Sequence, residues 1–367
     1  MKLALHFDGS VAINTLRQAI LAAGESTTIH YSAAHDLDAS AMLSVLSASG
    51  GEKNLVLGFD GARLDPRSLQ QAVSFASDRT RIDIAAAQAV QPSALVTAIA
   101  AAGDSKSIRA VFSGARVNQE TLRSALDAAG REVGISLVAS QSLAQEALLA
   151  TLQAAGDQRK LAVELGGAQP AANLLQAVEA AGANTGIAIN TAHALDRDEL
   201  QALMLGAGDA KQLSLSLNGS QVDEAALPHL VAAAGTNTLV RLNTAEAIGA
   251  GRLLAAIEAT GNTRQLNVEY NGVQAAAAGL VQAIEAAGIS TSVSVSSAQG
   301  VAVEGLVAAL DAAGQARKLD LQFNAGQLPA AELQRLVEAA GNRCGLSING
   351  AQALPLPALL DVLKAAA

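Results

Sequence analysis

The hydrophobic pattern of this chain switches regularly between two periods. A run with alternate apolar residues at 318–323 is followed by a turn at 324–327, and then by Leu333 and Leu336 at helical spacing. Alternation predicts a β-strand, and spacing of three to four residues predicts an amphipathic helix. A glycine such as Gly341 is expected to end each helix, because it adopts a positive φ without steric cost. The pattern predicts one strand, one turn and one helix per unit.

These units recur every 26 or 27 residues along the chain. The end of each helix is marked by a glycine, and Ser77 stands in the one place where that glycine is missing. Because neither element buries its apolar face alone, neighbouring units must stack. We therefore predict one α/β solenoid over residues 1–367, with fourteen βα repeats, a parallel sheet on the inner face and helices outside. The marking glycines are Gly24, Gly50, Gly103, Gly130, Gly156, Gly182, Gly208, Gly235, Gly261, Gly288, Gly314 and Gly341.

The units alternate between two types. Odd units carry Leu-x-Leu-x-aromatic-Asn/Asp-Gly, as at 55–61, and even units carry Ile-x-Ile-x-x-Ala-Gln/His, as at 187–193. The larger repeat is thus a pair of about 53 residues, present seven times.

At these strands the chain resembles the leucine-rich repeat family, whose strand motif is Leu-x-Leu-x-x-Asn. The motif appears at 213–218 and 319–324, and with a valine at 266–271. The alternation of two types resembles the ribonuclease-inhibitor-like α/β branch, although Ala316 and Thr263 stand where the family has a leading Leu. The resemblance implies that the Asn ending each segment satisfies backbone groups of the following turn.

The number of repeats bears on the curvature of the sheet. Parallel strands lie ~4.8 Å apart and packed helices about 8–10 Å apart, so a full turn needs on the order of 12 to 20 repeats. Fourteen repeats then make most of a circle, and we expect an open horseshoe. A closed ring is the alternative, because the first strand begins at residue 2 and the last helix has little polar capping at 359–367.

Composition narrows the class of partner. The net charge is −9, which argues against nucleic acid, whose binding depends on Lys and Arg at phosphates. No run approaches the ~20 apolar residues of a membrane helix, and no targeting segment follows Met1. We expect no membrane contact and a cytoplasmic location, with signal-less export as an effector left open. The lone cysteine, Cys344, is expected to be a small packed residue.

The alternate strand residues that face away from the helices are the candidate binding surface. Solenoids generally offer such a face to a protein partner. The first hypothesis is a non-catalytic scaffold that binds a protein there. The alternative is a structural, self-assembling or engineered repeat protein without a ligand. The expected binding residues are Arg81, Asp83, Arg109, Glu164, Arg241, Glu269, Asp320 and Gln322.

Five of the seven aromatic residues share one column of the odd strands. We expect this column in the core, and if exposed it would be an apolar stripe and an interface candidate. Tyr31 and Phe75 also occupy core-type positions. The column contains Phe7, Phe59, Phe112, Tyr270 and Phe323.

No catalytic or cofactor motif is present in the sequence. It has no Cys-x-x-Cys, His-Glu-x-x-His, phosphate loop or Gly-x-Ser-x-Gly. His6 and His30 are neighbours on adjacent strands, but the Asp and Cys partners of a zinc site are lacking. His35 and His193 share a column six units apart. We expect no cofactor, no metal and no enzymatic activity.

Overall fold

The computed structural model describes residues 1–341 and 344–366, in which fourteen strands alternate with fourteen α-helices. The strands are β1 Lys2–Phe7, β2 Thr27–Tyr31, β3 Asn54–Asp60, β4 Thr80–Ala85, β5 Ser107–Ser113, β6 Val133–Val138, β7 Lys160–Gly166, β8 Thr185–Asn190, β9 Gln212–Asn218, β10 Thr238–Asn243, β11 Gln265–Asn271, β12 Thr291–Ser296, β13 Lys318–Asn324 and β14 Cys344–Asn349. The helices are α1 Ile13–Ala22, α2 Ala39–Ser49, α3 Pro66–Phe75, α4 Pro92–Ala102, α5 Gln119–Ala128, α6 Gln145–Ala155, α7 Ala171–Ala180, α8 Arg197–Ala207, α9 Leu227–Ala233, α10 Ala250–Thr260, α11 Ala277–Ala286, α12 Val303–Ala313, α13 Ala330–Ala339 and α14 Leu356–Ala366.

Local sequence signals begin several of these helices. Asp196 caps α8 in a capping box, in which its carboxylate accepts from the Glu199 N–H and the Glu199 side chain accepts from the Asp196 N–H. Asp65 accepts from the Ser68 N–H at the start of α3, where Pro66 occupies the first turn. These contacts satisfy donors that a helix start leaves without partners.

The glycines at the helix ends serve two different purposes. Gly103 follows α4 with φ +56°, the conformation expected for a glycine stop. Gly130, in the next unit, has no positive φ, but a Cβ there would collide with the carbonyl group of Gly103. Gly341 likewise lies against the Gly314 carbonyl, so the expected positive φ at Gly341 is wrong. In odd units the glycine permits close approach of the preceding unit.

Contacts divide the chain into two compact units. The N-terminal unit contains Leu5–Leu165 and Ala180–Ile187, and the C-terminal unit contains Met1–Ala4, Gly166–Glu179 and Ala188–Ala366. Within each unit the sheet is parallel and the register continues from strand to strand. Asp83, for example, pairs with Gly58 on one side and Arg109 on the other.

The expected open horseshoe is wrong with respect to strand order. The order of the sheet is closed, so that β1 has both β2 and β14 as neighbours and consecutive strands are adjacent throughout. The estimated range of 12 to 20 repeats per turn includes fourteen. A wider spacing between the outer helices increases the rotation from one repeat to the next, so that fewer repeats complete a turn than all-Ala helix contacts would require.

The core lies between the strands and the helices. The aromatic column is buried there, as expected, and so is Tyr31. Phe75 is 58% exposed, which contradicts the prediction of a core position. The core-facing residues of α3 are Leu69, Ala72 and Val73, and Phe75 lies two residues beyond Val73 on the opposite side of the helix.

Candidate partner-binding surface

All eight predicted binding residues lie on what we call the strand face, formed by the strand side chains that point away from the helices. They are alternate residues of the strands, between positions that are buried in the core. They form two groups, one in each unit. Arg81, Asp83, Arg109 and Glu164 belong to the N-terminal unit, and Arg241, Glu269, Asp320 and Gln322 belong to the C-terminal unit.

Arg81 and Asp83 form a bidentate ion pair along β4. Arg81 Nε lies 2.8 Å from Asp83 Oδ1, and Arg81 Nη2 lies 3.0 Å from Asp83 Oδ2. Both side chains are partly exposed. The two parallel hydrogen bonds fix both planes and use the two carboxylate oxygens that could otherwise engage a neighbour.

Arg109 is directly beside this pair on β5. It is in register with Asp83 and is exposed. Within residues 1–341 and 344–366, no hydrogen bond or ion pair engages its guanidinium. Gly134 follows it in register on β6, and Gly58 lies on the far side of Asp83. Because Gly134 has no side chain, the guanidinium of Arg109 is uncovered on the β6 side, whereas Asp83 flanks it on the β4 side.

His6 and His30 stack next to this cluster. Their ring centroids are 4.2 Å apart, at an interplanar angle of 18°. Burial lowers the pKa of His30 to about 4, helped by the charges of His6 and Arg81, and burial also lowers the pKa of His6. Both imidazoles are therefore neutral near pH 7. The described residues contain no group of three or more His, Cys, Asp or Glu placed to hold a metal ion.

The residues of the C-terminal unit are more dispersed. Glu269 and Asp320 share one row of the sheet, separated by Ser294 on β12. The Asp320 carboxylate covers Gly345, since a Cβ at Gly345 would collide with Asp320 Oδ1. Burial raises the pKa of Asp320, and the charges of Lys2 and Lys318 oppose this shift.

Arg241 and Gln322 lie in other rows of the same unit. Arg241 is exposed between Ser216 and Asn267, and no partner engages it in the part of the chain that the structure describes. Gln322 is exposed beside Ser347. The structure thus brings Arg81, Asp83 and Arg109 together and does not bring Arg241 into contact with the acidic pair.

The strand-end Asn residues hold the turns that follow them. Asn218 Oδ1 accepts from the Ser220 N–H at 3.0 Å and from the Thr244 hydroxyl at 2.7 Å. Asn271 accepts from the Val273 N–H, and Asn324 from the Gly326 N–H. The role implied by the family resemblance is observed, mainly within the turn itself.

The structural roles of two further columns of the repeat were not predicted from the sequence. The Gln/His position of even units accepts a backbone N–H from the next strand, as in the bond of 3.0 Å from the Ser113 N–H to Gln88. A Lys or Arg before several odd strands donates to helix-end carbonyls of an earlier unit, as Lys106 does to Val73 and Ser74. The signal was the recurrence of these residue types at one position of the repeat.

Comparison with known proteins gives the following likenesses. No protein-family model and no curated protein matches the chain. It is similar in structure to the leucine-rich repeat-containing protein LegL7 from Legionella pneumophila, with 15% identity over 83% of this chain and 95% of that chain, at a TM-score of 0.43. It is also similar to a chain of the Rad7 and Elc1 complex in yeast, with 12% identity over 80% and 75% of the two chains, at a TM-score of 0.48. A 3-hexulose-6-phosphate synthase matches 56% of this chain and 99% of its own, with 14% identity and a TM-score of 0.27.

Among the residues described, no helix combines the length and apolar character that crossing a membrane requires.

Proposed function

We propose that residues 1–367 act as one non-catalytic repeat scaffold of the ribonuclease-inhibitor-like type, which binds a protein partner on the strand face of the N-terminal unit. The observation that carries this proposal is the free guanidinium of Arg109 beside the paired Arg81 and Asp83. Arginine is one of the residues that contribute most to binding energy in protein interfaces. Here it lies between Asp83 on β4, whose carboxylate is engaged by Arg81, and Gly134 on β6, which has no side chain.

The chemistry of this surface favours an extended segment that carries one acidic residue. Arg109 offers a planar set of donors that matches a carboxylate. Val111 and Val138 lie on the same face and are partly exposed, which favours an apolar residue near the partner's carboxylate. The net charge of −9 opposes a polyanionic partner such as nucleic acid.

Peptide-display selection against the whole protein tests the proposal. Selected peptides should carry an acidic residue next to an apolar one. Their affinity should fall about tenfold or more in the variant Arg81→Ala/Asp83→Ala/Arg109→Ala, because a charge-assisted hydrogen bond is worth roughly 1.5–3 kcal/mol. A matched control is Arg67→Ala/Arg123→Ala/Asp127→Ala, which removes the same residue types from exposed positions of α3 and α5. Equal affinity of both variants would place the binding site elsewhere.

A purely structural role is the second candidate. The closed strand order and the regular bonds between successive repeats favour it. If the repeats encode self-assembly, sedimentation equilibrium will show a mass that rises with protein concentration. The scaffold proposal predicts a monomer that binds the selected peptides.

A further inference from the structure

A cavity of about 180 Å³ lies between α10 and α11, on the helix side of the sheet. Its lining comes entirely from residues 245–283 of the C-terminal unit. Ile248 and Leu253 form apolar wall, Tyr270 reaches it from β11, and Glu246 contributes a carboxylate. It is a separate place from the strand face.

The cavity lies beside two positions whose side chains are smaller here than in some other repeats. Ala275, in the loop after β11, stands where Leu64 and Leu328 stand in other odd units. Leu328 is buried and Leu64 is partly exposed, so this position can contribute apolar volume to the core. Gly279 lines the cavity where Glu332 occupies the equivalent place of α13, and a Cβ added at Gly279 would meet nothing within 4 Å. The repeat therefore supplies an internal reference for the missing volume.

Glu246 departs from the repeat in charge. Gln88 and Gln299 occupy the same place in other even units. Glu246 Oε2 accepts from the Asn271 N–H at 3.1 Å, which is the ordinary bond of this column. Oε1 is buried and has no hydrogen-bond partner among the residues described. A buried carboxylate oxygen without a donor is costly, and a cationic donor would remove that cost.

Tyr270 departs from the repeat in polarity. Phe59, Phe112 and Phe323 fill its column elsewhere. Burial, together with a smaller effect of the nearby charge of Glu246, raises the pKa of Tyr270 to about 12. Thus four departures from the repeat, two in volume and two in polarity, fall within 34 residues of sequence, and Glu246, Tyr270 and Gly279 line one cavity.

We propose that this cavity is a binding site for a small organic ammonium ion. Its ammonium group pairs with the carboxylate of Glu246, and its apolar body packs against Ile248, Leu253 and the ring of Tyr270. The volume sets the size, since an apolar cavity of about 150 Å³ holds benzene. One ring or a short branched chain next to the nitrogen therefore fits.

The test uses the full chain and benzylammonium as the probe, followed by NMR chemical shifts and isothermal titration calorimetry at pH 7. We expect saturable binding with shifts confined to residues 245–283. Benzyl alcohol, which has a similar shape and no charge, should bind about tenfold or more weakly, and Glu246→Gln should weaken benzylammonium binding by a similar factor. Gly279→Leu should abolish binding, because Gly279 lines the cavity and a Cβ added there meets nothing within 4 Å.

The repeat provides controls for folding and for specificity. Glu246→Gln introduces the residue already present at Gln88 and Gln299, so the bond to the Asn271 N–H is retained. Gln299→Glu places a carboxylate in the next even unit, where the following odd unit has Leu328 and Glu332, and should create no second site. Absence of saturable binding, or affinity that both Glu246→Gln and Gly279→Leu leave unchanged, overturns the proposal. Neither result bears on the strand-face proposal, which concerns the other unit.

Discussion

The Nδ1 atom of His193 accepts a hydrogen bond from the backbone N–H of Asn218 at 3.2 Å. His35 accepts from Asp60 in the same way, at 3.2 Å. Gln88, Glu246 and Gln299 make the equivalent bond through a side-chain oxygen. The backbone donor of one strand end is therefore satisfied by a side chain of the preceding unit, which ties successive repeats together.

Replacing His193 tests this tie. His193→Ala leaves the Asn218 N–H without its acceptor and should lower the free energy of unfolding by about 1–2 kcal/mol. His193→Gln should lose far less, because Gln88 and Gln299 already fill the same role. Urea denaturation of the three proteins measures both effects. Equal losses for Ala and Gln would show that ring packing, and not the hydrogen bond, matters at this position.

Lys106 provides a second tie between repeats, because it lies just before β5 and contacts the end of α3. Its Nζ donates to the Val73 and Ser74 carbonyls in the last turn of α3, at 2.5 and 2.9 Å. Lys106→Met removes these bonds and a charge that favours a helix C-terminus, at a cost of about 1 kcal/mol. Lys106→Arg should retain most of the stability, since Arg159 makes the same contacts with Leu126 and Asp127. Thermal unfolding that ranks Arg below Met would contradict this account.

The depressed pKa of His30 predicts a pH dependence of stability. In the folded protein His30 stays neutral down to about pH 4, whereas its ordinary pKa is 6.5. Between these values the unfolded chain binds the extra proton, so the contribution of His30 is complete above about pH 6.5 and is lost as the pH falls towards 4. Because the side chain is partly exposed, we expect a loss of about 1 kcal/mol from pH 7 to pH 5.

The variant His30→Ser isolates that contribution. Serine occupies the equivalent position at Ser294 and Ser347. The variant should show a shallower fall in unfolding free energy over the same pH interval. An NMR titration of the His30 imidazole in the wild-type protein gives its pKa directly. A value at or above 6.5 would exclude His30 as the source of the pH dependence of stability.

Cys344 replaces the Thr of other even strands, such as Thr238 and Thr291. It is buried, and burial raises the pKa of its thiol. Thiol reagents should therefore modify it only as the protein unfolds, at a rate that increases with urea. Cys344→Thr should fold with stability within about 1 kcal/mol of wild type. Rapid modification of the native protein would show that the thiol is accessible.

Much of this fold follows from local pattern. Strand and helix positions, the parallel sheet and the buried aromatic column all follow from periodicity in the sequence. The prediction for Phe75 was wrong because its position in the repeat does not determine which side of the helix it faces at the end of α3. Whether the strand order closes depends on the difference between the strand spacing and the helix spacing. A small error in the assumed helix spacing is enough to change the expected number of repeats per turn from more than fourteen to fourteen.

The strand face and the cavity differ in how much of each can be predicted from the sequence. Alternation places Arg81, Asp83 and Arg109 on one face, but the choice of Asp83 as the partner of Arg81 depends on side-chain rotamers. The cavity cannot be predicted from alternation or helical spacing. Glu246, Tyr270, Ala275 and Gly279 are ordinary residues alone and become informative only when each is compared with its column and their positions are known to converge.

The repeat maintains the fold, and the proposed ammonium site consists of departures from it. The most direct measurement is the unfolding free energy of the variant Glu246→Gln/Tyr270→Phe/Ala275→Leu/Gly279→Ser, which restores residue types found elsewhere in the repeat. Filling the cavity and removing a helical glycine should stabilise the protein by about 1–2 kcal/mol in urea denaturation, with the benzylammonium site lost. A variant less stable than wild type would show that these four residues serve the fold, and would contradict the claim.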